Sequence, residues 1–110
     1  MATRILIVED HPTMREAMRL VLEGEGFDID EAADGHLAME RIRLAPPDLL
    51  FLDLNIPGAS GAEVLHAVKT DPATAAIRVI VVTATGEEGR ATALLRTVER
   101  VLAAGESPEA

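Results

Sequence analysis

Short apolar runs alternate with longer amphipathic stretches along this chain. Four of the runs have the length of a β-strand, and they span residues 5–8, 27–32, 49–52 and 77–82. Three of them are apolar at nearly every position, which is typical of parallel strands that are covered on both faces. The run at 27–32 alternates apolar and acidic residues, which predicts a half-exposed strand at an edge of the sheet.

The stretches between these runs carry apolar residues at helical spacing. Helices are predicted from Pro12 to the glycines at 24 and 26, from the Asp34-Gly35 turn to about residue 44, and over residues 62–69. A single long C-terminal helix is predicted over residues 87–104. The alternation of strands and helices predicts an α/β fold with an open parallel sheet and helices on both faces. We expect residues 1–105 to form one domain and residues 106–110 to form a flexible tail.

Polar side chains stand at the carboxyl ends of the apolar runs. Glu9 and Asp10 follow the first run, Asp53 follows the third, and Thr83 follows the fourth. Open α/β sheets bind their ligands at this edge. Three carboxylates that converge there require a hard cation to neutralise their charge. Mg²⁺ is suitable because it can bind carboxylate oxygens and the oxygens of a substrate phosphate at the same time. A carboxylate such as Asp53 can then act as the nucleophile toward a phosphoryl group, and the Thr83 hydroxyl can donate a hydrogen bond to it.

Composition narrows the possible partners and the compartment. The formal net charge is −9, from 19 acidic and 10 basic residues, which argues against direct binding of nucleic acid. The chain has no cysteine and no apolar run long enough to span a membrane, so we expect a cytoplasmic protein without a membrane segment. His11, His36 and His66 are too scattered for a metal site, and His11, beside the acidic pair, is the only one expected to touch the rim of the pocket.

The segments ILIVED (5–10), DLNIPG (53–58) and VVTA (81–84) resemble the motifs of response-regulator receiver domains from two-component signalling. The resemblance covers about residues 4–86, in the expected order and spacing. It implies a flavodoxin-like sheet with strand order 2-1-3-4, in a chain that acts in a phosphorelay. The implied phosphoryl donor is a phosphohistidine on a sensor histidine kinase or a histidine phosphotransfer protein.

The resemblance also implies a role for individual residues. Asp53 would be the phosphoacceptor, and Thr83 the switch hydroxyl. Mg²⁺ would be held by Glu9, Asp10, Asp53 and the backbone carbonyl of Asn55, with one of the acidic pair acting through water. The rim of the pocket would consist of Ala84, Pro57 and Gly58. Such a module is not an enzyme acting on a separate substrate, although it can catalyse its own phosphorylation and dephosphorylation.

The sequence departs from the family pattern after Thr83. The family continues with a helix, a fifth strand, a Lys-Pro pair and a last helix, whereas this chain runs directly into its terminal helix. The only lysine, Lys69, lies in the predicted third helix, and the chain contains no tyrosine. The family lysine would pair with the acceptor carboxylate and then with the phosphoryl group. We therefore expect a truncated receiver with an impaired or altered switch.

The same residues also allow other interpretations. An acidic pair after a strand can be a solvated loop, and a lone aspartate can cap a turn. The chain can also be a non-phosphorylated receiver remnant that serves as a dimerisation or protein-interaction module. We expect a homodimer through strand four, the C-terminal helix, or both, because an apolar strand edge is a template for association. A phosphatase-like hydrolase is disfavoured because Asn55 stands where a second acid would be needed.

Overall fold

A computed structural model describes residues 2–54, 56, 58 and 60–82, and at Val82 it describes the backbone alone. These residues form four strands and three helices. In chain order they are β1 (Arg4–Val8), α1 (Pro12–Gly24), β2 (Asp28–Ala32), α2 (Gly35–Leu44), β3 (Leu49–Asp53), α3 (Gly61–Thr70) and β4 (Arg78–Val82). The four strands make one parallel sheet in the order β2-β1-β3-β4. The flavodoxin-like α/β fold and the strand order expected from the sequence are therefore confirmed.

The limits of the elements agree closely with the apolar pattern. Each strand falls within one residue of its predicted start, and α1 spans the predicted range from Pro12 to Gly24. The strand with alternating acidic residues, β2, lies at an edge of the sheet and keeps only Ala32 fully buried. The predicted C-terminal helix, the domain limit at residue 105 and the tail at 106–110 lie outside the described residues.

Alternation along the strands divides the core into two clusters, one on each face of the sheet. One cluster joins β1, β3 and β4 to the apolar faces of α2 and α3, and its buried members include Leu6, Val8, Leu50, Leu52, Ala38, Ile42, Val64 and Val68. The other joins the same strands to α1, and its buried members are Ile5, Ile7, Leu49, Phe51, Ile80, Met18 and Leu22. Helices thus cover both faces of β1 and β3, and this is why residues 5–8 and 49–52 are all apolar.

Local hydrogen bonds fix where α2 and α3 begin. The Asp34 carboxylate accepts a hydrogen bond from the backbone N–H of Leu37 at 2.8 Å and caps α2. The Ser60 hydroxyl and the Glu63 carboxylate exchange hydrogen bonds with each other's backbone N–H, which is a capping box at the start of α3. An N-cap of this kind contributes about 1 kcal/mol. No helix among those described has the length and apolar character needed to cross a membrane.

Candidate functional site

Strand register places two acidic residues side by side at the carboxyl edge of the sheet. Val8 of β1 is the partner of Leu52 of β3, so the residues that follow them, Glu9 and Asp53, are neighbours across the two strands. Asp53 is the last residue of β3 and is fully buried. Glu9 directly follows the last residue of β1, at the same height along the sheet as Asp53. The two carboxyl groups therefore meet at the mouth of the crevice between β1 and β3.

Three carboxylates converge at this point. Oxygen atoms of Glu9, Asp10 and Asp53 all lie within 4.8 Å of one another. Glu9 is only 3% exposed and Asp53 is 0% exposed, whereas Asp10 faces the solvent. The cluster therefore has a buried floor formed by two acids and one solvent-facing acid at its opening.

The buried, negatively charged surroundings raise the pKa of Glu9. The pKa of Glu9 is raised from 4.5 to about 7, chiefly by burial and then by a hydrogen bond with the Asp53 carboxyl group and by the Asp53 charge. The backbone N–H of His11 donates to the Glu9 carboxylate at 3.3 Å, which lowers that pKa, and the Asp10 charge raises it slightly. Near neutral pH and without a cation, the Glu9 carboxyl group therefore carries a proton for part of the time.

The donor set fits a hard divalent cation. Three carboxylates within ligand distance of one another supply oxygen donors alone, which Mg²⁺ and Mn²⁺ favour. A divalent charge at this point would relieve the repulsion that raises the pKa of Glu9. The exposed Asp10 leaves the site open to solvent, as Mg²⁺ requires because it keeps several of its waters.

Several residues that the sequence assigned to the site lie outside the described part of the chain. These are Asn55, Pro57, Thr83 and Ala84. Of the predicted rim, Gly58 is described: it has a φ of 78°, and a Cβ at this position would lie 2.8 Å from Cδ2 of His36. The expectation that His11 is the only histidine at the rim is therefore incomplete, since His36 of α2 lies against Gly58, a predicted rim residue.

The single lysine is at the opposite end of the sheet. Lys69 Nζ donates to the backbone carbonyl of Ile77 at 3.0 Å and to that of Ala75 at 3.5 Å, where the chain approaches the start of β4. Asp53 lies at the far end of β3, beside Val82 at the end of β4. The position of Lys69 agrees with the prediction that it cannot replace the family lysine.

Two contacts at the site were not predicted from the sequence. Arg15 of α1 donates to the backbone carbonyl of Glu9, and the backbone of Gly61 lies against that of Asp53 and Leu54. Both join residues from different elements, and neither has a marker in the hydrophobic pattern. The tendency of glycine to occur where backbones approach closely was the one available indication for Gly61.

A model of the response regulator receiver domain family matches residues 5–100 of the chain. This range includes all three motifs and the carboxylate cluster. The chain belongs to the response regulator receiver domain family. Members of this family are signalling modules of two-component systems. The family match therefore assigns both the receiver fold and this class of signalling system to the chain.

Known relatives agree with this assignment. The phosphate regulon transcriptional regulatory protein PhoB of Escherichia coli K12 is 42% identical over 88 residues, which cover 80% of this chain and 38% of PhoB. A receiver domain of a signal transduction histidine kinase from Syntrophus aciditrophicus superimposes with a TM-score of 0.84 at 25% identity, covering 99% of this chain and 96% of that chain. The Mn²⁺-bound form of the response regulator Rcp1 gives a TM-score of 0.71 at 30% identity, covering 84% of this chain and 75% of that chain.

The likeness to the curated relatives concerns one part of them. The receiver domain described here spans 31% of the length of the DNA-binding response regulator MtrA from Mycolicibacterium smegmatis and 38% of that of PhoB. The names of those proteins refer to DNA binding and transcription, and they describe the longer proteins.

Proposed function

We propose that this receiver domain accepts a phosphoryl group on Asp53 from a phosphohistidine of a sensor histidine kinase or a histidine phosphotransfer protein in the cytoplasm. The observation that carries the proposal is the convergence of the Glu9, Asp10 and Asp53 carboxylate oxygens within 4.8 Å at the carboxyl edge of the sheet. In the reaction, an Asp53 oxygen forms the bond to phosphorus while the bond from phosphorus to the histidine nitrogen breaks. The histidine is thereby released.

Mg²⁺ would be held by Glu9, Asp10, Asp53 and the backbone carbonyl of Asn55. When bound, it neutralises the charge of the carboxylates and of the incoming phosphoryl oxygens. The chain's own contribution is to orient the nucleophile: β3 holds Asp53 at 0% exposure beside Glu9, which limits the directions from which phosphorus can approach. The backbone N–H of His11, at 3.3 Å from the Glu9 carboxylate, orients the second buried acid.

The switch is proposed to be impaired or altered. Thr83 is the proposed switch hydroxyl, with Ala84, Pro57 and Gly58 at the rim of the pocket. The supporting observation is that the single lysine binds the carbonyls of Ala75 and Ile77, at the other end of β4. A charge-assisted hydrogen bond from lysine to the phosphoryl group would then be missing, so less of the phosphorylation signal would reach the rest of the molecule.

Phosphorylation by a small-molecule donor tests the proposal directly. The protein is incubated with acetyl phosphate and Mg²⁺, and its intact mass is measured before and after treatment with hydroxylamine, which cleaves acyl phosphates. We expect one hydroxylamine-sensitive phosphoryl group in the wild type and none in Asp53→Asn. The matched control is Asp28→Asn, since Asp28 is an exposed aspartate at the start of β2.

The outcome separates the acceptor from a protein that only binds partners. Loss of labelling in Asp53→Asn together with normal labelling in Asp28→Asn supports the acceptor. Labelling that persists in Asp53→Asn, or a wild type that gains no phosphoryl group with either acetyl phosphate or a cognate kinase, contradicts it.

The second candidate is a receiver remnant that acts as a dimerisation or protein-interaction module without phosphorylation. The placement of Lys69 away from the acceptor favours it. A homodimer through β4, the C-terminal helix, or both is proposed under either function. The proposal depends on the strand edge and not on exposed apolar side chains, since Val79 is 0% and Ile80 is 3% exposed within the single chain. Magnesium-dependent binding of beryllofluoride separates the two candidates, because the interaction module would bind none.

A further inference from the structure

The main chain of Glu9 is held from two sides by other elements. Its backbone N–H donates to the carbonyl of Ala32, the last residue of β2, at 3.1 Å. Its carbonyl oxygen accepts a hydrogen bond from Arg15 Nη1 of α1 at 2.7 Å. This carbonyl belongs to the peptide unit that joins Glu9 to Asp10. The arginine therefore fixes the plane of the peptide that connects the two acids of the cluster.

Arg15 is itself held in place by an ion pair with β2. Its Nε donates to Glu31 Oε1 at 2.8 Å, while Arg19 Nη1 reaches the other oxygen, Glu31 Oε2, at 2.6 Å. The side chains of Arg15 and Glu31 are 21% and 26% exposed, compared with 48% for Arg19. The guanidinium fork of Arg15 thus spans from Glu31 to the Glu9 carbonyl in a partly shielded position, a geometry that a lysine ammonium would not reproduce.

We infer that Arg15 is a positioning residue for the divalent cation site: by holding the Glu9 carbonyl, it keeps the Glu9 and Asp10 carboxylates turned toward Asp53. The inference rests on the proposed cation site and adds a residue to it. Asp10 depends on such support because it lies in the connection between β1 and α1 and its side chain is exposed. Partners that orient metal ligands in this way affect metal affinity strongly.

The sign of the effect distinguishes positioning from simple electrostatics. Arg15 carries a positive charge near the carboxylate cluster, so its removal alone should make the site more negative and strengthen cation binding. A loss of orientation should weaken binding instead. The two mechanisms therefore predict opposite changes in the Mg²⁺ dissociation constant of Arg15→Gln.

Arg19→Gln is the matched control. Both arginines bind the Glu31 carboxylate and lie on α1, but only Arg15 contacts the Glu9 carbonyl. The affinity of the whole chain for Mg²⁺ is measured by isothermal titration calorimetry at constant pH and ionic strength. We expect the dissociation constant to rise about tenfold in Arg15→Gln, at the lower end of the losses caused by outer-shell partners, and to stay unchanged or fall in Arg19→Gln.

A second readout does not depend on the cation. The ¹³C resonance of the Glu9 backbone carbonyl reports its hydrogen bond, and it should move in metal-free Arg15→Gln but not in Arg19→Gln. Should Arg15→Gln fail to fold, Arg15→Lys replaces it. A single ammonium cannot bind both the Glu31 carboxylate and the Glu9 carbonyl, so the Mg²⁺ dissociation constant of Arg15→Lys should lie between the wild-type value and a rise of about tenfold. A lysine variant with a moved Glu9 carbonyl resonance and wild-type affinity overturns the inference.

The remaining outcomes are also decisive. Equal or tighter Mg²⁺ binding in Arg15→Gln overturns the positioning role, and so does an equal loss in both arginine variants, which would assign the effect to the Glu31 ion pairs. A wild type that binds no Mg²⁺ overturns the proposed cation site instead. In that case the carbonyl resonance still decides whether Arg15 holds the peptide between Glu9 and Asp10.

Discussion

The backbone of Gly61, the first residue of α3, lies directly against the carbonyl oxygen of Asp53. A Cβ added at Gly61 would stand 2.6 Å from that oxygen and would also collide with Cα of Leu54. Both neighbours are backbone atoms, which cannot move aside as the end of a flexible side chain can. The start of α3 and the end of β3 are therefore in contact through a position that admits no side chain.

Substitution of Gly61 by alanine should displace the acceptor strand or the helix. We expect Gly61→Ala to lower the free energy of unfolding by about 1–3 kcal/mol, the usual cost of overpacking, and to slow labelling of Asp53 by acetyl phosphate. Urea denaturation and intact mass measure the two effects. Gly24→Ala at the end of α1 is the control, since its added Cβ would have no described atom within 4 Å other than those of its chain neighbours and of its own helix backbone. A Gly61→Ala protein as stable as Gly24→Ala would contradict the steric argument.

The raised pKa of Glu9 makes the stability of the metal-free protein depend on pH. The native state binds more protons than the unfolded state between 4.5 and about 7, so the free energy of unfolding should fall as the pH rises through this window. Mg²⁺ competes with that proton, and its affinity should therefore increase with pH over the same range. Urea unfolding across the window, with and without Mg²⁺, measures both trends.

Glu9→Gln tests whether the pH dependence of stability comes from the Glu9 carboxyl group. The amide keeps the size of the side chain but removes its titration, so the metal-free protein should lose most of its pH dependence between 4.5 and about 7. An equally steep dependence in Glu9→Gln would show that another group is responsible.

The solvent-facing acid of the cluster should be needed for cation binding. Asp10→Ala removes one of three converging carboxylates, so the Mg²⁺ dissociation constant should rise by at least about tenfold. Removal of a residue that only orients a metal ligand already weakens metal binding by about that factor. Because Asp10 is exposed, thermal stability without Mg²⁺ should change little. Calorimetric titration provides the affinity, and Asp28→Ala is the control. Identical affinities for Asp10→Ala and wild type would rule out this site.

Lys69 should support the fold and leave the chemistry unaffected. Its Nζ donates to the carbonyls of Ala75 and Ile77, so Lys69→Met should lower the free energy of unfolding by about 1 kcal/mol. The rate at which acetyl phosphate labels Asp53 should be unchanged, as measured by intact mass over time. A folded Lys69→Met protein that is no longer labelled would mean that the lysine takes part in phosphoryl transfer.

The oligomeric state tests the proposed homodimer. Light scattering during size exclusion at micromolar concentration should give twice the chain mass of 11.7 kDa. Ile80→Pro, in the middle of β4, would block pairing of this strand with a second copy. It cannot serve as a control, because Ile80 is buried and the variant would unfold. Dilution of the wild type is the better control, since a reversible dimer dissociates as its concentration falls. A stable species of 11.7 kDa at all concentrations would exclude the dimer.

The sequence determined the four strands and the three helices described in residues 2–82, together with the place of the acidic cluster. A parallel strand covered on both faces must be apolar throughout, so β1 and β3 are recognisable from the residues they contain. Because parallel strands end at the same edge, the sequence alone assigns Glu9, Asp10 and Asp53 to one crevice. The half-exposed β2 was likewise identified as an edge strand from its alternating acids.

Only the tertiary structure decided which atoms meet. The hydrophobic pattern tells which face of an element a residue occupies, but not whether Arg15 reaches the carbonyl of Glu9 or whether Gly61 touches Asp53. Those contacts depend on how two elements from distant parts of the chain are placed to within about an ångström, the range over which hydrogen bonds form or fail. The division of the cluster into buried Glu9 and exposed Asp10 has the same origin. The raised pKa of Glu9 follows from it, since desolvation is a property of the packed surroundings and not of the residue.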